Sequence, residues 1–370
     1  MSQIVQQVGI PTTYSITIAG SEVLTVTSKR KLIALSLGGG LDTEPTASID
    51  MFEPIPAAFP ISLAGPWEIL VNGALLFRGY AETPNKARYW GGNVFTFPLR
   101  SVLTTWDVEL TNTTFGVANT TAGEEFTPDH ICTTVGDYLN YLITTVQSMG
   151  GAPFYGTIPS STMLFANLYD KGVLSVSSTT YLAEIKRVCQ SLGYYIFSDP
   201  IGTIRIIWAL APYNPANLIF TGSDETHFLK EVNAGYATGF ASIPSTVLLA
   251  DDKLGIGVAY GHQPSAGITA DDTNFGITGI NNLAFAVTVG MKKEALPTIA
   301  KQIFDVARKA SGNLTFSTAE IFTAQQILGY FISWTDSQEG IGYYTIKSYQ
   351  VTIDVTHILT EVRAYISPSA

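Results

Sequence analysis

The chain has 370 residues, of which 46% are apolar and only 14% charged, and its formal net charge is −10. Such a length exceeds one ordinary core and predicts two or three domains. Net acidity with no basic run argues against a protein that grips nucleic acid. So few charges read either as a surface hidden in an assembly or as a Ser/Thr/Asn-rich monomer surface. The N-terminal MSQIVQQVGIP has neither a basic nor an apolar segment, so no secretory signal is expected. No window reaches ~18 uninterrupted apolar residues, so no membrane span is expected. Cys132 and Cys189 are too few for a disulfide framework and are expected to be reduced and structural. The expectation is a soluble protein made in a cytoplasm.

Along the chain, Thr12–Ile18 and Glu22–Thr27 alternate as strands do, with a turn at Ala19-Gly20-Ser21. Lys31–Leu37 and Ala47–Phe52 continue the pattern, and proline-rich Glu53–Pro66 reads as a loop. Asn72-Gly73 is a type I′ turn dipeptide between the apolar runs Trp67–Val71 and Ala74–Phe77. A two-residue hairpin pairs Val71 with Ala74, Leu70 with Leu75, Ile69 with Leu76 and Glu68 with Phe77. Both faces are then apolar, so both are expected to be covered. Gly79 marks a bulge or a close backbone approach. Asn93–Leu99 closes this meander, giving about six or seven short strands in the first hundred residues, as in a barrel or sandwich.

Beyond Arg100-Ser101 the texture changes. Ser101–Val108 predicts a short helix, and Thr111–Asp129 reads as loop or irregular strand. Val135–Met149 is amphipathic, with Val135, Tyr138, Leu139, Leu142, Ile143 and Val146 on one face. Thr134 and Asp137 form a variant capping box at its start. Tyr181–Leu192 repeats the arrangement with Leu182, Ile185, Val188, Cys189 and Leu192. Ser177, Ser178, Thr179 and Thr180 offer caps, and Gly193 stops the helix. Tyr194–Ser198 and Thr203–Leu210 form a hairpin turning through Asp199-Pro200-Ile201-Gly202.

From Asn217 strands return at Leu218–Phe220, Thr246–Leu249, Ile256–Tyr260 and Leu283–Val289, with Gly261–Asn282 as an exposed loop between them. Pro297 opens a helix over about 297–311 that buries Ile299, Ile303, Val306 and Ala310, with Gly312 past its end. Tyr343–Val355 and Ile358–Ile366 close the chain as a half-buried sheet. The fold class is therefore mainly β with α+β. Its division is 1–101 as a first β domain, 102–215 as an α+β domain, and 216–370 as a second β domain with an inserted helix.

Residues that could carry chemistry are scattered. His130, His227, His262 and His357 are isolated from one another and from the cysteines, so no metal site is expected. Gly38-Gly39-Gly40 lacks a following GK[ST] and reads as positive-φ turn chemistry. No GxSxG is present. Asp251-Asp252, Asp271-Asp272 and Glu124-Glu125 are paired acids in polar sequence, read as solvated loops rather than a glycosidase pair. Tyr194-Tyr195 and Tyr343-Tyr344 read as packing residues. No catalytic, cofactor-binding or metal-binding residue is assigned, and no cofactor or enzymatic activity is expected.

The order of elements resembles the central hub proteins of contractile phage-type tail baseplates, the late-control-D-like family. The resemblance rests on Ile69, Val71, Asn72-Gly73, Phe77 and Gly79, then Arg100-Ser101 opening a helix. It continues with Gly193, Asp199, Gly202 and Ile204 in a "G-x-x-x-x-x-D-x-x-G-x-L"-like hairpin, and with Val355, His357, Thr360 and Val362 near the end. Gly261–Asn282 has no counterpart. The resemblance implies two tail-tube-like β-barrel domains and a bridging α+β domain in a virion protein assembled in the host cytoplasm. It implies a homotrimer joining a hexameric tail tube to a trimeric central spike, beside other baseplate proteins. DNA would pass through the channel without specific binding, helped by an acidic lumen. A carbohydrate-binding or glycoside-hydrolysing β protein is the alternative, resting on the paired acids and aromatics. An outer-membrane barrel is disfavoured by the helices and the missing signal.

Overall fold

The computed structural model describes residues 14–18, 21–26, 32–41, 43–52, 65–71, 74–89, 92–118, 125, 127–158, 173–176, 178–191, 193–208, 214–223, 233–236, 244–251, 256–261, 281–286, 297, 300–301, 304, 312–318, 328–336, 340–354 and 358–366. The first strands are β1 (Tyr14–Ile18), β2 (Ser21–Val26), β3 (Leu32–Gly40), β4 (Thr46–Phe52), β5 (Trp67–Val71), β6 (Ala74–Ala81), β7 (Asn85–Tyr89) and β8 (Gly92–Ser101). The middle holds β9 (Glu109–Leu110), β10 (Thr113–Gly116), β11 (His130–Ile131), helix α1 (Val135–Ser148), β12 (Val173–Val176) and β13 (Thr179–Thr180). Helix α2 (Tyr181–Ser191), β14 (Tyr194–Ser198) and β15 (Ile204–Trp208) complete it. The rest gives β16 (Leu218–Ser223), β17 (Asn233–Tyr236), β18 (Pro244–Asp251), β19 (Ile256–Gly261) and β20 (Asn281–Ala286). Last come β21 (Gly312–Thr318), β22 (Phe331–Asp336), β23 (Gly340–Asp354) and β24 (Ile358–Ile366).

Strands from both ends of the chain belong to one curled, mixed, 14-stranded sheet, because β3 pairs antiparallel with β23 from Ser348↔Gly40 to Asp354↔Ala34. Its main path runs β17-β21-β24-β23-β3-β4-β8-β6-β5-β1-β2. The parallel element is β16 against β22. One face of this sheet buries a first core in which Leu35, Ile49, Trp67, Ile69, Phe97, Leu314, Phe316, Trp334, Ile353 and Val362 meet.

The β5–β6 hairpin forms, but its register departs from the expected one. Val71 faces Ala74 and Leu70 faces Leu75, after which an irregularity between Ile69 and Leu70 sets Ile69 opposite Phe77 and Glu68 opposite Arg78. The inserted residue lets both Leu76 and Phe77 be buried. Gly79 is a close backbone approach: a Cβ there would lie 2.0 Å from the Arg100 carbonyl oxygen. Gly38-Gly39-Gly40 is not a positive-φ turn. All three glycines extend β3 against β23, and a Cβ on Gly38 would lie 2.9 Å from the Tyr349 carbonyl oxygen. The expected helix at Ser101–Val108 is a short 3-10 turn over Val102–Trp106, capped by Ser101 Oγ accepting from the Leu103 N–H.

The second core is mostly contiguous in sequence. On α1, Val135, Tyr138, Leu139, Leu142, Ile143 and Val146 are all buried, and Thr134 and Asp137 form the reciprocal cap. On α2, Leu182, Ile185, Val188 and Cys189 are buried, Thr180 Oγ1 accepts from the Ala183 N–H, and Gly193 follows at φ 77°. Ala300 and Phe304, in a helical stretch with Pro297 and Lys301, join this core. Ile299, Ile303, Val306 and Ala310 lie outside the described residues, as do 262–280 and most of 53–66.

The β14–β15 hairpin is shared. Ile196, Ile204 and Ile206 enter the second core, whereas Phe197 enters the first, with Tyr195 and Ile207 packed against it. Alternation of side chains across a two-stranded ribbon makes it a wall between the two cores.

Candidate functional site

Where β3, β4, β8, β24 and the second half of β23 meet, the large sheet has one apolar and one polar face, and period-2 alternation produces both. On β3, β4 and β8 the buried Leu35, Leu37, Ala47, Ile49, Phe97 and Leu99 alternate with Ser36, Gly38, Ser48, Pro98 and Arg100. On β23 and β24, buried Tyr349, Val351, Val362 and Ala364 alternate with Ser348, Gln350, Glu361 and Arg363. A groove of about 660 Å³ lies on this polar face, straddling the β3–β23 seam. It is lined by Ser, Thr, Gly and Gln with Ala47, Pro98, Leu99 and Tyr349, and by the charged Glu44, Glu82, Arg100, Glu361 and Arg363.

One margin is an ion-pair network. Arg100 Nη2 donates to Glu44 Oε2 at 2.6 Å, and Arg100 Nε lies 3.8 Å from Glu82 Oε1. The Glu44 hydrogen bond, aided by the nearby Glu82 and Asp107 charges, raises the Arg100 pKa against the opposing effect of burial. Ser101 N–H donates to the Pro45 carbonyl at 3.0 Å, which pins Pro45, next to Glu44, beside this network. The Arg100-Ser101 pair of the sequence thus does two jobs, since Arg100 balances the margin and Ser101 caps the next turn. Glu361 and Arg363 stand on the other margin. Three carboxylates and two guanidiniums line the groove, so it offers no net positive charge to an anionic polymer.

The junction between the cores is also built from flagged residues. The Asp199 side chain is fully buried; its Oδ1 accepts from the Thr203 N–H at 2.8 Å and its Oδ2 from Arg205 Nε at 2.7 Å. Burial raises the Asp199 pKa above the ordinary carboxylate value despite the Arg205 partner. Gly202 has φ 87°, and a Cβ there would lie 2.7 Å from Arg78 Cδ, so β6 packs directly on this turn. Within the second core, buried Glu184 accepts from the Tyr138 hydroxyl at 2.6 Å and from Arg187 Nε at 2.9 Å. Burial and the Glu184 charge hold Tyr138 well above the ordinary phenol value.

The other flagged residues do not converge. His130 packs on Phe115 and hydrogen-bonds through Nε2 to the Tyr141 hydroxyl at 2.7 Å. Cys132 and Cys189 are buried free thiols, and burial pushes them up to about 11 and about 12. Glu125 is exposed, and Asp251 lies on β18. Glu124, Asp252, Asp271-Asp272, His227, His262 and His357 lie outside the described residues. Among the described residues no group of three or more His, Cys, Asp or Glu side chains could hold a metal. Among them, too, no helix is long and apolar enough to cross a membrane. Sequence reasoning missed the groove because Glu44, Glu82, Arg100, Glu361 and Arg363 come from both ends of the chain; only the Arg100-Ser101 pair signalled it.

A mainly β chain with one curled sheet, an open polar face and a helical buttress has the fold of phage tail proteins. It is similar to a tail protein from Neisseria meningitidis, at TM-score 0.61 and 14% identity, over 95% of each chain. It is equally similar to the 43 kDa tail protein of prophage MuSo2 from Shewanella oneidensis, at TM-score 0.60 and 12% identity, over 95% of this chain and 98% of that one. An Escherichia coli component of the type VI secretion system, itself similar to the T4 bacteriophage tail proteins gp27 and gp5, aligns at TM-score 0.52 and 9% identity. That alignment covers 96% of this chain and 77% of the other. No family model matches the sequence, nor does any curated protein.

Proposed function

We propose that the protein is a structural, non-enzymatic hub of a phage-type tail baseplate. Three copies form a ring between a hexameric tail tube and a trimeric central spike, in contact with other baseplate proteins. The observation that carries this reading is the β3–β23 seam, which fuses strands from both ends of the chain into one sheet with one polar face. Read as two sheet-built modules over 1–101 and 216–370, three chains supply six modules, matching six-fold symmetry above to three-fold symmetry below. The region 102–215 buttresses them.

In this reading the polar face looks into the channel. Hydroxyl and glycine positions, with charges of both signs at the margins, give a double helix little to bind, and the net charge of −10 repels its backbone. DNA therefore slides past without specific contacts. The protein belongs to the virion, in the tail baseplate, and is assembled in the host cytoplasm. The carbohydrate reading has no groove of paired, unneutralised carboxylates to support it among the described residues. Electron microscopy of the purified assembly tests the proposal: a ring of three chains with the β3–β23 face inward is expected. A channel lined by the helical region, or by net positive charge, would contradict it.

A further inference from the structure

Four arginines of the body have carboxylate partners: Arg78 with Glu68, Arg100 with Glu44, Arg187 with Glu184 and Arg205 with Asp199. Lys86 and Arg88 on β7 differ. Both are exposed, and neither forms an ion pair with a carboxylate among the described residues. They lie two apart on one strand, opposite Phe95 and Asn93 of β8, and therefore share a face. The Lys86 ammonium sits 5.2 Å from the centre of the Phe95 ring. Phe95 in turn stacks on Phe97 of the first core, with ring centres 6.5 Å apart. Lys86 is thus seated against an aromatic side chain packed on the first core, with Arg88 beside it on the same face. Among the described residues β7 pairs only with β8.

We infer that the Lys86–Arg88 face of β7 is a docking surface for the acidic surface of a second copy of this chain. The inference rests on the ring reading and names one of its contacts. Charge complementarity calls for an acidic occupant, and a second copy, with 30 acidic against 20 basic residues, is one. In a closed ring the interface is heterologous, so a basic patch on one copy meets a different patch on the next and never its own image. Nucleic acid is a poorer occupant. Two cations release only about two counterions on binding phosphates, too few to hold a duplex against an acidic body.

The test uses the full-length protein and the variants K86E/R88E and K86Q/R88Q, with circular dichroism melts to show that each is folded. Native mass is followed at low ionic strength and at about 1 M salt, where charges are screened beyond about 3 Å. The expected result is a wild-type trimer that loosens in high salt, and a folded K86E/R88E protein whose dissociation constant rises at least about tenfold. A K86E/R88E trimer as tight as wild type overturns the inference and leaves the hub reading standing. So does a folded K86Q/R88Q protein that precipitates while keeping its trimer, because the charges would then only guard an open strand edge. Loss of DNA retention in a gel by K86E/R88E, with its trimer intact, assigns the face to nucleic acid and overturns the inference as well. A wild-type monomer at every salt concentration overturns both the inference and the ring.

Discussion

The helical core and the large sheet are held together in opposite ways. Residues 102–206 pack α1, α2 and the β14–β15 hairpin on one another almost entirely from neighbouring sequence, with Ala300 and Phe304 added from afar. The sheet instead draws Leu35, Leu37 and Ile49 from one end of the chain against Val351, Ile353 and Val362 from the other. Local packing can form early and fail locally, whereas the seam must bring distant strands together before it stabilises anything. The contrast teaches that the helical core draws mostly on neighbouring sequence, while the sheet needs both ends of the chain.

The largest expected effect breaks the sheet. Gly79→Val has no room, since even a Cβ meets the Arg100 carbonyl oxygen at 2.0 Å. A loss of more than about 4 kcal/mol is expected, read as loss of soluble folded protein. Trp106→Ala attacks the other region. Its indole is fully buried and donates to the Ala152 carbonyl at 3.0 Å, so about 3–5 kcal/mol should be lost. Hydrogen exchange should rise across α1 and α2 while β3 and β23 stay protected. Equal loss of protection in both regions would show that the two cores do not act separately.

Asp199→Ala sharpens the comparison at the wall between them. Removing the carboxylate takes the ion pair from Arg205 and the acceptor from the Thr203 N–H, and because Arg205 keeps its contact with the Tyr155 ring and some contact with solvent the cost is about 3 kcal/mol. Chemical denaturation should show the two cores uncoupling into separate transitions. The smallest effect is Thr134→Ala at the start of α1, about 1 kcal/mol by thermal melting.

Acid and base bear on two carboxylates, Asp137 of α1 and Asp199 of the β14–β15 turn, with opposite signs. Hydrogen bonds from Thr133 and Thr134 hold Asp137 below the ordinary carboxylate value of 3.8. Its share of stability is present above that value and is lost as pH falls through the lower folded one. Asp199 is held above 3.8 by burial, so its share is present at low pH and is lost as pH rises through the folded value. Asp137→Asn should therefore flatten the acid limb of stability against pH, measured by denaturant midpoint, and an unchanged limb would contradict the capping account.

The helical core was legible because its signals are local. A Thr and an Asp three apart, six apolar residues on one face and a glycine after α2 each act within a few residues, and each is where the spacing puts it. The sheet was legible in its strands but not in its register. The irregularity beside Leu70, the flat run Gly38-Gly39-Gly40 and the pairing of Gly38 with Gln350 all depend on partners far along the chain. Strand β7, NKARY, escaped because its Asn85–Arg88 stretch is exposed and lacks alternation, and β21 and β22 lie between Gly312 and Tyr343, where no element was expected. The groove was legible only as Arg100-Ser101, because its opposite margin, Glu361 and Arg363, comes from the last strand.

The native mass of the purified protein at low ionic strength tests the central claim most directly. The hub account predicts a particle of three 39.8 kDa chains. A single-chain species that persists as concentration is raised would contradict it.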